Sequence, residues 1–139
     1  MIYYRLDRKE DFRSAAGFLV ERYEPRDLVL FVTHSGEALF DWYHEDRRAT
    51  IRRSGIPYGY QERPNQSPGH VIRYPSDIVR LRELCLTAER IWLVRLRTQY
   101  HDPQELTHQW MEKNLKKAAS YPFSGVQLDL YTQGSGKEP

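Results

Sequence analysis

Two short stretches set polar, titratable side chains directly behind apolar runs. The first is Thr33-His34-Ser35-Gly36-Glu37, which follows Leu28-Val29-Leu30-Phe31-Val32. Gly36 would let a ligand approach the backbone closely, and a helix starting here would turn its free N–H groups toward an anion such as phosphate. The glycine spacing matches neither a dinucleotide-binding fingerprint nor a P-loop. The plainer reading is a turn in which Ser35 caps the next helix. His34 and Ser35 do not form a base–nucleophile pair, because adjacent side chains on an extended strand point to opposite faces. The second stretch is Arg97-Thr98-Gln99-Tyr100-His101-Asp102, after the apolar run Ile91-Trp92-Leu93-Val94. If the two stretches meet, Tyr100 and His101 contact a polar ligand beside His34, and the candidate ligand site is His34, Ser35, Gly36, Tyr100 and His101.

The arginines form a second group. Between positions 47 and 97 eleven arginines stand against four acidic residues, a local balance of +7, so the rest of the chain carries −5 of the overall +2. Arginine pairs bidentately with phosphate and carboxylate, so this asymmetry points to an anionic partner, with Arg47, Arg48, Arg52 and Arg53 as the candidate surface. The plainer reading is a solvated face with local acidic partners. Nucleic acid is not the expected partner, because the pI is 8.7 and neither a basic helix nor an aromatic RNA-binding motif is present. His44-Glu45-Asp46 supplies metal-ligand types, but consecutive residues at a helix end diverge and HExxH spacing is absent, so neither a metal nor a cofactor is expected. Tyr58, Tyr60 and Tyr74 have the amphipathic rings that rest on sugars or lipid interfaces, against the simpler role of packing a loop down. Cys85 falls on the apolar side of a helix and reads as a core residue.

Elements must position these groups. Residues 11–24 carry Phe12, Ala15, Ala16, Leu19 and Tyr23 at helical spacing, with Asp11 as the N-cap and Pro25 beyond the end. Leu28–Val32 is apolar without alternation, as a strand buried on both faces would be. A helix over 36–45 turns Ala38, Leu39, Trp42 and Tyr43 inward. Periodicity fails from 46 to 75, a long loop with at most short edge strands near 56–58 and 71–73. A helix over 76–89 leads into the buried strand 91–94. Asp102 as N-cap, Pro103 at the first helical position and Glu105 at the third predict a helix reaching about Ala118. Val126, Leu128 and Leu130 alternate with polar residues, which predicts a last strand with one wet face near a sheet edge. Residues 134–139 read as a disordered tail.

Helix and strand alternate, so the expected class is α/β: a Rossmann-like three-layer α/β/α sandwich around a small, mainly parallel sheet of three or four strands, in one domain over 1–133. With a mean hydropathy of −0.76 and no apolar run near the ~20 residues a membrane-spanning helix needs, no span is predicted. The start, Met1-Ile2-Tyr3-Tyr4-Arg5, has no apolar stretch before its charges and does not read as a signal peptide. One cysteine excludes an internal disulfide.

Several segments taken in order resemble one family. These are Tyr3-Tyr4, then Lys9-Glu10-Asp11-Phe12-Arg13-Ser14-Ala15-Ala16, then Arg26-Asp27-Leu28-Val29-Leu30. Trp42-Tyr43, Ile91-Trp92-Leu93-Val94 and His101-Asp102-Pro103 follow in the same order. Together they resemble the segment after the last membrane helix in bacterial family 39-like glycosyltransferases, relatives of protein mannosyltransferases and aminoarabinose transferases. Phe12 stands where that family more often has tryptophan. The resemblance implies an extracytoplasmic, non-catalytic C-terminal domain, on the periplasmic side, of a polytopic enzyme that transfers sugar from a polyprenyl-phosphate donor. Its implied partners are the membrane portion of the parent chain and an anionic lipid, the carrier, or a glycan or protein acceptor. The family's catalytic acid lies in an early loop of the membrane portion, so no catalytic residue carries over to this chain. The rival reading is a free-standing α/β enzyme or binding protein for a small phosphorylated ligand at the 33–37 and 97–102 loops.

Overall fold

A computed structural model describes residues 11–32, 34–44, 50–56, 76–96 and 105–133. Their elements run α1 (Phe12–Arg22), β1 (Leu28–Val32), α2 (His34–Tyr43), β2 (Arg52–Gly55), α3 (Ser76–Cys85), β3 (Arg90–Leu96), α4 (Leu106–Asn114), β4 (Lys116–Phe123) and β5 (Val126–Thr132). The five strands form one mixed sheet in the order β2-β1-β3-β5-β4.

The sheet has two halves. β1 pairs in parallel with β2 and with β3, whereas β5 is antiparallel to both β3 and β4. The expected mainly parallel sheet is therefore half antiparallel, because the chain after α4 returns as a hairpin rather than as another crossover. Gly125, at φ 75°, supplies the left-handed residue of its two-residue turn. β4 occupies part of what reads as helix in the sequence: the helix ends at Asn114, and Leu115 is already extended. Lysine and alanine are good helix formers, but propensity yields readily to tertiary pairing, and seven register pairs with β5 override it here. A register shift between Lys117 and Ala119 bulges this outer strand.

Alternate residues of β1 enter two cores. Val29 and Phe31 pack with Phe12, Ala15, Ala16 and Leu19 of α1 and Phe40 of α2. Leu28, Leu30 and Val32 pack with Ile78, Leu81 and Cys85 of α3 and Met111 of α4. β3 divides likewise, with Trp92, Val94 and Leu96 on the first side and Ile91 and Leu93 on the second. β1 is buried throughout, as its unbroken apolar run predicts.

Three local expectations change. Asp11 makes no side-chain cap; its backbone N–H donates to Ser124 O at 2.7 Å, which ties the start of α1 to the β4–β5 turn. α2 turns Phe40, Glu37 and Asp41 inward and leaves Trp42 78% exposed, because its inner face must cover the polar edge strand β2 as well as the core. β5 has no wet face: Asp129 and Tyr131 are fully buried, since β5 lies inside the sheet and β4 forms the edge. The 56–58 and 71–73 strands, apart from Ile56, the Asp102–Pro103 helix start and the 134–139 tail lie outside the described residues.

Candidate functional site

The carboxyl ends of β1 and β3 are neighbours, with Val32 opposite Arg95. From β1 the chain leaves through α2 toward β2; from β3 it leaves through α4 toward the hairpin on the other side. Connections that depart in opposite directions from adjacent parallel strands define the crevice where open α/β sheets bind ligands. Both loops singled out in the sequence begin there. His34 and Ser35 open α2, and their side chains lie outside what is described, as do Tyr100 and His101. Gly36 has a packing reason for being glycine: a Cβ there would come within 3.3 Å of Phe31 Cδ1.

The sequence reading missed a polar network behind this crevice. Arg95 interrupts the apolar run of β3 near its end and points to the second core. Its Nη2 donates to Asp129 Oδ2 at 3.1 Å. Asp129 Oδ1 accepts from Ser120 Oγ at 2.7 Å and Gln127 Nε2 at 2.9 Å. Arg95 Nη1 lies 3.8 Å from Glu105, while its Nε is buried without a hydrogen-bond partner. One signal was available: opposite charges sit inside two strands whose other residues are mostly apolar.

α4 carries three stripes. Thr107 and Met111, four apart, are buried. Leu106, Gln109, Trp110, Lys113 and Asn114 recur at three- and four-residue spacing and, with Ile78 of α3, line an open groove of about 330 Å³. Glu105, His108 and Glu112 form the third stripe. His108 Nδ1 lies 3.4 Å from Glu105, and Nε2 lies 3.2 Å from Glu112 without hydrogen-bond geometry. Glu112 also pairs with Lys117 Nζ at 2.7 Å and accepts the Tyr131 hydroxyl at 2.6 Å. Lys117, and then Tyr131, hold the Glu112 carboxyl below its usual range, while burial and Glu112 push the Tyr131 hydroxyl far up. Glu105, which begins the helix, has φ 54°, a left-handed backbone that costs a side-chain-bearing residue energy.

At the opposite end of the sheet, Asp27 collects four donors. Arg90 Nε and Nη2 reach its two oxygens at 2.9 and 3.1 Å, the Trp92 indole N–H donates at 3.0 Å, and the Glu24 backbone N–H donates at 2.9 Å. The hydrogen bond to Asp27 outweighs burial, which acts the other way, and moves the Arg90 guanidinium upward from its ordinary value.

The four arginines proposed as one anionic-partner surface part company. Arg47 and Arg48 lie outside the described residues. Arg53 is largely buried and grips Asp41 through Nε at 2.6 Å and Nη2 at 2.9 Å, and Asp41 raises its proton affinity. Glu37 lies 3.9 Å from the same guanidinium and accepts the Gly55 backbone N–H at 3.1 Å. Arg52 is exposed and donates to the Thr87 carbonyl and hydroxyl. Alternation along β2 separates them: neighbouring residues face opposite sides, so Arg53 reaches α2 while Arg52 reaches the loop after α3.

Tyr58, Tyr60 and Tyr74 also lie outside the described residues. Cys85 is buried with its Sγ 3.8 Å from Met111 Sδ, and burial pushes its thiol up to about 12, far from a reactive thiolate at neutral pH. Among the described residues no three His, Cys, Asp or Glu side chains are placed to hold a metal ion, and no helix is long and apolar enough to cross a membrane. No protein-family model matches the chain, and it matches no curated protein and no solved structure.

Proposed function

We propose that the chain is a small Rossmann-like three-layer domain serving as the non-catalytic, extracytoplasmic accessory part of a membrane glycosyltransferase that draws on a polyprenyl-phosphate sugar donor. The sandwich reading is supported by the two helix pairs that fill separate cores and by the strand order β2-β1-β3 at the switch point. The observation that carries the functional reading is the Asp27 cluster. Two of the segments on which the resemblance rests, Arg26–Leu30 and Ile91–Val94, are far apart in sequence, yet Asp27 of one accepts the indole N–H of Trp92 of the other. The segments therefore behave as parts of one fold signature. Their role is to fix the sheet, which agrees with a domain whose parent performs the chemistry elsewhere. On this reading the domain faces the parent's membrane portion and an anionic lipid, the carrier or an acceptor.

The test is to tag the genomic copy at its C-terminus and fractionate the cells. The expected product is much larger than 16.6 kDa, sediments with membranes and needs detergent for release. Its tag is cleaved by protease added to spheroplasts. A 16.6 kDa product in the supernatant overturns the reading.

A second reading is favoured by the switch point itself. A free-standing enzyme or binding protein for a small phosphorylated ligand would use the crevice from which the 33–37 and 97–102 loops leave. The supernatant outcome above would select it.

A further inference from the structure

The groove between α3 and α4 belongs to neither the crevice nor the buried pairs, and its lining is chemically particular. Leu106 and Ile78 supply apolar surface, and Trp110 is half-buried, packed against the second core on one side and bordering the groove on another. Gln109 and Asn114 supply amides and Lys113 a cation, and among the described residues no acidic side chain lines the groove. An aromatic surface beside hydrogen-bonding amides suits a pyranose, whose C–H face is apolar and whose rim is ringed by hydroxyls. The Lys113 ammonium adds a preference for negative charge on that ring. About 330 Å³ lies at the small end of ligand-site volumes, room for one or two rings rather than a long chain.

We propose that this groove is a binding subsite for an acidic saccharide, a ring bearing a carboxylate, with Trp110 stacking on its apolar face, Gln109 and Asn114 meeting hydroxyls, and Lys113 meeting the charge. The proposal deepens the accessory-domain reading by naming the class of acceptor glycan such a domain grips. It rests on that reading only for the origin of the ligand.

The chain holds three tryptophans in three settings: Trp42 exposed, Trp92 buried on Asp27, and Trp110 in the groove. Indole N–H resonances of the ¹⁵N-labelled 139-residue chain therefore report on the groove with two internal controls. Titration with sodium glucuronate is expected to move the Trp110 resonance in the millimolar range typical of so open a site, leaving Trp42 and Trp92 in place. Glucose binds about threefold more weakly, the factor one exposed ion pair allows, and sodium acetate moves nothing. Lys113→Gln, on the exposed rim, equalises glucuronate and glucose, and Trp110→Phe assigns the resonance. A Trp110 signal that stays put, one that acetate moves equally, or three signals that move together each overturn the proposal. Because this test uses the chain alone, its failure leaves the fractionation result standing.

Discussion

Arg90 and Arg95 stand five residues apart on β3, and each holds a buried aspartate, but the two pairs are finished differently. Arg90 faces the first core at the start of the strand, where Asp27 receives two guanidinium bonds, an indole N–H and a backbone N–H. Arg95 faces the second core at the carboxyl end, where it keeps one bond to Asp129, a loose approach to Glu105 and an unpartnered Nε. Buried charge is tolerated when geometry satisfies it fully, and an incomplete pair costs more than it returns. The closed pair sits at the end of the sheet that needs only to hold together. The open pair sits where the connections diverge and ligand crevices form.

Removing the closed pair should have the largest effect. Asp27→Ala strands the Trp92 and Glu24 N–H groups and leaves Arg90 without its main partner. Loss of about 3–5 kcal/mol is expected, read from urea unfolding followed by tryptophan emission. Asp129→Ala should cost less, about 2–3 kcal/mol by the same assay. Gln127 and Ser120 still bond one another at 2.7 Å, and Arg95 keeps Glu105. Equal losses would erase the distinction between the ends. The smallest effect concerns Glu112, which continues the second-core network. Its carboxyl is held below the ordinary range, so its contribution is present above the unfolded value and is lost as pH falls through the folded one. Stability should drop on acidification below about pH 4.5, and Glu112→Gln should flatten that part of the profile. An unchanged profile in the variant would detach Glu112 from the network.

The buried elements were legible and the polar ones were not. Leu28–Val32 and Ile91–Val94 declare themselves because a doubly buried strand must be apolar throughout. α1 follows from Phe12, Ala15, Ala16 and Leu19 at helical spacing. β2, written Arg52-Arg53-Ser54-Gly55, looks like loop because its burial depends on α2 covering it. Asp41, which neutralises Arg53, comes from another element, so the charge count between 47 and 97 overstated the free basic surface. Asp129, one of the polar residues that alternate along β5, is buried for the same reason. Alternation in β5 separates two faces, but only the partner strands decide that both are dry. At the candidate site, the position of the crevice followed from strand ends, whereas Arg95 and the α4 stripes needed the sheet order to bring them together.

Glu37 has a consequence beyond its own bond. Ile56 N–H points back to β1, so the Gly55 N–H that Glu37 accepts points outward, away from the sheet. A foreign strand arriving there finds its donor already taken. The far edge is guarded by Lys116, Lys117, a bulge and Pro122, devices that discourage a further strand. Both outer strands thus carry devices that discourage a further strand, and a substitution such as Glu37→Ala would free the Gly55 donor to meet one.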